Sequence, residues 1–121
     1  MKLDHLVKLV DGEVLTSGVN LDREVAGGCG ADLMSDVLAY SQPHAVLLTG
    51  LCSTQVVRTA QMADVAAIVF VRGKCPSQDT IALADREQIP LISCQEGMFE
   101  LCGRLYQAGL QSLESSIGDG D

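Results

Sequence analysis

The chain has few aromatic and few basic side chains. Its 121 residues include no Trp, two Tyr and two Phe, and eight Lys and Arg stand against sixteen Asp and Glu, for a formal net charge of -8. Proteins that bind single-stranded nucleic acid stack the bases on aromatic rings, and a negatively charged chain repels a phosphate backbone. We therefore expect no nucleic-acid partner.

Long hydrophobic runs are also missing. The longest purely apolar run covers residues 65–71, far short of the roughly 18 residues that indicate a membrane span. Charges at Lys2, Asp4 and Lys8 interrupt the apolar N-terminus, which is not typical of a signal peptide. We expect a cytoplasmic protein with no membrane partner.

The five cysteines include no CxxC pair, the spacing typical of zinc sites and of thioredoxin-like redox motifs. Cys52, Cys75 and Cys94 each follow a predicted strand, so their sulfurs are expected to converge on one edge of a parallel sheet. Zinc and iron–sulfur sites normally include at least one closely spaced ligand pair. We favour buried, reduced thiols that serve packing and predict no metal and no cofactor, with a metal site at these three residues as the alternative.

The apolar content indicates one α/β domain. Hydrophobic residues make up 47% of the chain, and from residue 45 onward apolar runs alternate with amphipathic stretches, as in consecutive βα units. The runs are continuous, which is typical of parallel strands buried on both faces. We predict strands at residues 45–49, 65–71 and 90–93, and helices at residues 53–62, 77–87 and 97–108. The fold class is α/β, a single compact domain with a mostly parallel sheet and helices on both faces.

The first 44 residues carry weaker signals. Apolar positions within residues 3–10 predict a short helix, which Gly12 ends, and residues 13–16 predict a short strand. Asp32 is predicted to be the N-cap of a helix that ends at about Tyr40 and has an apolar stripe of Leu33, Met34, Val37 and Leu38. We assign residues 1–113 to the domain and residues 114–121, where Gly and acidic residues replace apolar ones, to a mobile tail.

Three glycines, Gly27, Gly28 and Gly30, precede the Asp32 helix. Glycine-rich loops at this position in other proteins hold phosphate groups with backbone N–H groups. The spacing here is not GxGxxG, and the chain contains no GxxxxGK[ST] motif. A turn or a glycine strand that packs closely on a neighbour is the alternative, and we favour it.

Basic residues cluster after the central predicted strand. Arg72 and Lys74 flank Gly73, and Arg58 lies in the preceding predicted helix. Loops at the C-terminal ends of parallel strands form the usual ligand crevice of α/β sheets, although a solvated surface loop explains the same residues. We predict a site for a small anionic ligand, with glycines that admit it to the backbone and a helix start whose N–H groups face it. Its candidate residues are Gly50, Ser53, Thr54, Arg58, Arg72, Gly73 and Lys74.

Nothing in the sequence indicates catalysis. His5 lies in the first predicted helix and His44 in a turn, and neither has a Ser or Cys near it in sequence that would act as a nucleophile. We predict no catalytic residues and no enzymatic activity.

Four segments carry a resemblance to a known family. They are GADLMSDVLAY at residues 30–40, LLTGLCSTQVVRTAQMADVAAIVFVRGKCP at 47–76, IPLISC at 89–94 and MFELCGRLY at 98–106. Across residues 22–109 the sequence resembles stand-alone DRTGG domains, which are similar to the N-terminal domain of HPr kinase/phosphorylase and occur beside CBS domains in some pyrophosphatases. The resemblance implies an α/β regulatory domain, commonly a dimer, without catalysis. The family is named after the residue motif DRTGG. Of that motif, only one glycine of the final pair has a clear counterpart in this chain, and it is Gly73.

Two functions follow from these observations. The first is a non-catalytic regulatory or sensing module, a homodimer that binds a small anionic ligand such as an adenine nucleotide and passes its state to an unknown partner protein. The alternative is an assembly or interaction protein without a small-molecule ligand, and the resemblance to stand-alone relatives suggests a redox or hydrogenase-type system for it. A small enzyme ranks third.

Overall fold

Five helices and five strands occur within residues 1–114, the part of the chain that this computed structural model describes. In chain order they are α1 (Leu3–Leu9), β1 (Glu13–Val14), β2 (Gly27–Gly30), α2 (Met34–Tyr40), β3 (Ala45–Thr49), α3 (Thr54–Ala63), β4 (Ala67–Phe70), α4 (Gln78–Arg86), β5 (Leu91–Ser93) and α5 (Met98–Gln107). The strands and helices predicted from residue 45 onward are therefore confirmed. No helix in this part of the chain is long and apolar enough to cross a membrane.

The strands form one sheet in the order β1-β5-β4-β3-β2. Strands β2 to β5 are parallel, and β1 is antiparallel to β5. Since neighbouring parallel strands follow each other in chain order and crossovers are right-handed, the connecting helices α2, α3 and α4 lie on one face. Helices α1 and α5 cover the other face.

Alternate strand residues pack into two apolar cores. Val46 and Leu48 of β3 join the core beneath α1 and α5, whereas Leu47 joins the core beneath α2, α3 and α4. Every residue of β3 and β4 is buried, which is why these strands appear in the sequence as continuous apolar runs. The predicted fold class, a single α/β domain with a mostly parallel sheet and helices on both faces, is confirmed.

The start of α2 differs from the prediction. Leu33 is the N-cap of this helix, and its side chain makes no capping hydrogen bond. Asp32 is not the cap, because its carboxylate reaches instead to the loop after β3. Met34 and Val37 are buried as predicted, but Leu33 and Leu38 are exposed. The apolar stripe of this seven-residue helix is therefore narrower than predicted.

The glycines before α2 form strand β2, so the glycine-strand interpretation is confirmed. The outer edge of β2 pairs with residues 111–113: Gly28 N–H donates to Gln111 O at 2.9 Å, and Leu113 N–H donates to Gly28 O at 2.8 Å. A Cβ at Gly27 would lie 2.7 Å from both Gln111 O and Leu113 Cβ, so only glycine permits this approach. Glu114 also binds Gly30 N–H, at 3.2 Å.

The predicted mobile tail begins at Glu114. Residues 115–121 of that tail lie outside the described residues, and the division of the chain at residue 113 stays a prediction.

At the N-terminal ends of the parallel strands, the Arg23 side chain joins three segments. Its Nε donates to Asn20 O at 3.0 Å, Nη1 to Ala66 O at 3.2 Å and Nη2 to Gln88 O at 3.2 Å. The three carbonyls belong to the connection before β2, the entry to β4 and the connection before β5. A single half-buried guanidinium thus ties the N-terminal ends of these strands together.

Candidate functional site

The C-terminal ends of the parallel strands carry a cavity of about 320 Å³, called the rim cavity below. The loops after β2, β3 and β4 and the first residue of α5 enclose it. Its lining consists of Asp32, Gly50, Leu51, Val71, Arg72, Lys74 and Met98. The cavity therefore lies on the edge of the sheet where the sequence predicts a ligand.

A tight turn after β4 presents the two cations. Lys74 N–H donates to Val71 O at 3.1 Å, and both central residues have positive φ, 61° for Arg72 and 69° for Gly73. The turn is held against the loop after β5, because Arg72 N–H donates to Glu96 O at 2.8 Å and Gly73 N–H to Cys94 O at 2.7 Å. A left-handed conformation costs a residue with a Cβ about 1 kcal/mol or more. Arg72 occupies it because these bonds fix the turn.

Asp32 connects the loops after β2 and β3. Its Oδ1 accepts a hydrogen bond from Gly50 N–H at 2.7 Å and another from the Thr49 hydroxyl at 3.0 Å. Within residues 1–114, its Oδ2 accepts no hydrogen bond and forms no ion pair. One carboxylate oxygen thus holds the two loops together, and the other is a free acceptor at the cavity wall.

The charges of the rim cavity favour a ligand with more than one kind of polar group. Neither Arg72 nor Lys74 lies within 4.0 Å of a carboxylate oxygen in the described part of the chain. Arg72 also leans over the start of α5, where a Cβ at Gly97 would lie 3.8 Å from the guanidinium carbon. Two cations and one carboxylate give the cavity the features needed to hold an anionic group beside a hydroxyl or amine donor.

The structure brings together some of the predicted site residues. Gly50, Arg72 and Lys74 line the cavity, and Gly73 lies in the turn between the two cations. The Gly50 N–H group donates to the Asp32 carboxylate, so it is not an open donor for a ligand, and the close approach of a ligand to Gly50 stays a prediction.

Ser53, Thr54 and Arg58 are not among the residues that line the rim cavity. Thr54 shares a hydrogen bond with Thr80 of α4 at 3.2 Å, and Arg58 is exposed on α3. The physical reason is the strand order. Since β2 to β5 follow one another in chain order, their helices do not diverge to opposite faces, and no topological switch point opens a crevice at the start of α3.

Sequence reasoning missed four of the lining residues, Asp32, Leu51, Val71 and Met98. The signal for Asp32 was its place directly after the glycine strand, where the next element of a parallel sheet begins. Met98 gave no such signal, since α5 reaches the cavity only by crossing from β5 to the other face of the sheet.

The predicted convergence of three cysteines is wrong. Cys94 is buried in the core beneath α1 and α5, whereas Cys52 packs against the core on the other face, and Cys75 is exposed rather than buried. Burial raises the pKa of Cys94 to about 11, and that of Cys29 to about 12 with help from the neighbouring Glu114 carboxylate. Within residues 1–114, no group of three or more His, Cys, Asp or Glu side chains is arranged to hold a metal ion.

A second cavity, called the α5 cavity below, lies between α5 and β2 and has a volume of about 180 Å³. Its apolar wall includes Leu48, Cys102, Leu105, Tyr106 and Leu110. Beside it, the outer face of α5 is unusually apolar: 94% of the Phe99 surface and 63% of the Tyr106 surface are exposed.

Comparisons with known proteins agree with this architecture. The crystal structure of the CBS and DRTGG domains of the regulatory region of Clostridium perfringens pyrophosphatase, complexed with its activator diadenosine tetraphosphate, superposes with a TM-score of 0.72 at 15% sequence identity. The match covers 97% of this chain and 51% of that chain. A search of curated proteins gave no match. The family model of the DRTGG domain matches residues 5–108. Because that match spans most of the 121 residues, this chain belongs to the DRTGG domain family.

Proposed function

We propose that this chain is a non-catalytic regulatory module that binds a small anionic ligand, an adenine nucleotide, in the rim cavity. It acts as a cytoplasmic homodimer and passes the state of the cavity to a partner protein. The observation that carries the proposal is the pair of cations, Arg72 and Lys74, on a turn held in left-handed conformation at the end of β4. Similarity to the N-terminal domain of HPr kinase/phosphorylase stays a prediction.

The overall charge makes this pair informative. A chain with net charge -8 repels anions on average, yet the rim cavity contains two of its eight basic residues without a carboxylate partner in the described part of the chain. The free Oδ2 of Asp32 is an acceptor for a ribose hydroxyl, while Arg72 provides bidentate hydrogen bonds to a phosphate. A nucleotide supplies both groups in one molecule.

The family supports a regulatory role. DRTGG domains are regulatory, and the activator named for the pyrophosphatase regulatory region is a nucleotide, diadenosine tetraphosphate. At 15% identity that structure supports the fold of this chain, and the assignment of a nucleotide to the rim cavity rests on the cavity itself.

The test is a thermal-shift screen of AMP, ADP, ATP and diadenosine tetraphosphate, followed by calorimetry of each compound that raises the midpoint. A charge-assisted hydrogen bond contributes about 1.5 to 3 kcal/mol, so Arg72→Ala is expected to weaken binding about 10- to 150-fold. Alanine keeps a Cβ at the same backbone position, which leaves the strain of the turn unchanged.

Arg58→Ala is the matched control, because it removes one arginine from α3 outside the cavity. It is expected to leave affinity within about twofold of the wild type, a change of about 0.4 kcal/mol. Equal affinity in Arg72→Ala, Lys74→Ala and the wild type would contradict the site. No shift with any of the four nucleotides would contradict the nucleotide proposal.

A second candidate function is assembly without a small-molecule ligand. The exposed apolar face of α5 favours it, since such patches on a small domain mark protein contacts. An assembly protein is stabilised in the thermal-shift assay by its protein partner and by none of the nucleotides.

A further inference from the structure

We infer that the outer face of α5 binds the same face of a second copy of this chain, with the Phe99 ring of each copy seated in the α5 cavity of the other. This α5 face consists of Phe99, Cys102, Gly103 and Tyr106. The inference rests on the homodimer in the proposed function and is independent of the nucleotide. It names the surface that makes the contact.

The first observation is the exposure of two rings. The chain has only four aromatic side chains, and Phe99 and Tyr106 hold two of them in solvent on one helix. Residues 99, 102, 103 and 106 are three, four and seven positions apart, so they share one helix face. A Phe side chain left in water forgoes about 1.5 to 3 kcal/mol of burial. The exposed ring therefore indicates a contact surface.

The second observation is a hole on the same face. The α5 cavity opens beside Cys102 and Tyr106 and is lined mainly by apolar groups. These residues lie three and seven positions beyond Phe99, which is about 5 and 10 Å along the helix axis. A Cβ at Gly103 would meet nothing within 4 Å, so a neighbouring helix has room to approach the backbone there. One helix thus carries both a protruding ring and a receptor for a ring.

The arrangement of ring and hole is self-complementary. In an isologous interface, residue i of one copy contacts residue j of the other, and j contacts i in return. When two α5 helices cross antiparallel near Gly103, Phe99 of each copy meets the region of Tyr106 of the other, beside the α5 cavity. The two contacts are identical by symmetry, so both Phe99 rings are buried when the dimer forms. An unrelated partner would need a ring and a cavity of its own to form both contacts.

The area that the contact buries agrees with a second copy as the occupant. Aromatic side chains bury about 150–250 Å² each. The exposed parts of the two rings in both copies therefore supply about 500–800 Å², and the surface they cover on the other copy roughly doubles that figure. The sum reaches the lower end of stable interfaces, about 1,200–2,000 Å² in total. The four residues of the α5 face are uncharged. Glu100 beside them pairs with Arg104 on the same helix, and Glu114 in the lining of the α5 cavity accepts a hydrogen bond from Gly30 N–H.

The first test is sedimentation velocity on the full chain from about 1 to 100 μM, a range that covers micromolar dissociation constants. We expect a dimer in the wild type and at least tenfold weaker association in Phe99→Ser. Met62→Ser is the control, because Met62 is 68% exposed on α3 and lies outside the α5 face; it is expected to dimerise like the wild type. A monomeric wild type throughout this range, or a Phe99→Ser dimer of unchanged affinity, would overturn the inference.

The second test locates the contact. In a Cys75→Ser/Cys102→Ser background, which removes the exposed thiol and the half-buried one on α5, Gly103→Cys is expected to form an interchain disulfide with the same position of the second copy on mild oxidation, because the two-fold axis places the two positions opposite each other. Adding Phe99→Ser should strongly reduce that cross-link, and Met62→Cys in the same background should form none. Gly103→Cys chains that dimerise but do not cross-link would refute the proposed crossing.

The outcomes also separate this inference from the ligand proposal. A monomeric Phe99→Ser variant that still binds nucleotide supports both, since Phe99 is not a lining residue of the rim cavity. An Arg72→Ala variant that dimerises but binds no nucleotide also supports both proposals, because it loses the ligand and keeps the dimer. A dimer without nucleotide binding in the wild type refutes only the ligand proposal.

Discussion

Replacing Arg23 tests how the N-terminal ends of the strands are held together. Arg23→Ala removes three hydrogen bonds, to the carbonyls of Asn20, Ala66 and Gln88. The bond to Ala66 is partly buried and the other two are exposed. A charged hydrogen bond contributes about 1.5 to 3 kcal/mol, and exposed contacts contribute only a few tenths each because water competes for the same groups.

The free energy of unfolding is therefore expected to fall by about 2 to 3 kcal/mol in Arg23→Ala. For a chain of this length, each kcal/mol corresponds to about 3 to 6 °C in Tm, so the expected loss is about 6 to 18 °C. Arg23→Lys keeps the charge but not the planar fork, and should lose at least half as much. The assay is urea unfolding followed by circular dichroism, with Tm measured in parallel.

Arg58→Ala is the control for the loss of an exposed arginine, and its expected change is within about 0.5 kcal/mol. If Arg23→Ala also stays within about 0.5 kcal/mol of the wild type, the three-way clamp does not stabilise the fold. If Arg23→Lys is as stable as the wild type, the positive charge matters and the geometry of the guanidinium does not.

Two further predictions concern the edge strand and the thiols. Gly27→Ala places a methyl group 2.7 Å from Gln111 O, so it should detach residues 111–113 and raise the hydrogen-exchange rate of the Gly28 amide, whereas unchanged exchange would contradict the close packing. The pKa of Cys94 is raised from 9.0 to about 11 by burial, so the folded state holds a proton that the unfolded state releases, and the free energy of unfolding should decrease as pH rises from 9 toward 11. Cys94→Ala should show a shallower decrease between pH 9 and 10 in urea unfolding, and an equal slope would argue against the buried thiol as its source.

The second half of the chain was the more predictable part because burial on both faces leaves a direct record in sequence. The run at residues 45–49 is apolar throughout, and it became the fully buried β3. Strand β2 is harder to recognise, since three of its four residues are glycine and its only side chain is that of Cys29. Its outer edge pairs with residues 111–113, and no local pattern reveals that pairing.

The candidate site was predicted in part for a similar reason. Arg72, Gly73 and Lys74 are adjacent in sequence, and a single turn keeps them together in the fold. Asp32 has the residue type and position of a helix cap, but a hydrogen bond to Gly50 across to the next loop outcompetes local capping. Such a choice between a local and a distant partner is decided by tertiary packing and cannot be read from spacing.

The pairing of β2 with residues 111–113 has a consequence for synthesis on the ribosome. On the outer edge of β2, the Gly28 carbonyl accepts a hydrogen bond from Leu113 N–H. The strand can therefore pair with β3 early in synthesis, but its outer edge stays unpaired until residue 113 has emerged. Translation adds about 5 to 20 residues per second, which leaves that edge unpaired for several seconds in every nascent chain. An unpaired strand edge is a template for pairing with other chains. A chain truncated before residue 111 should therefore aggregate during synthesis, even though it contains every buried residue of the two apolar cores.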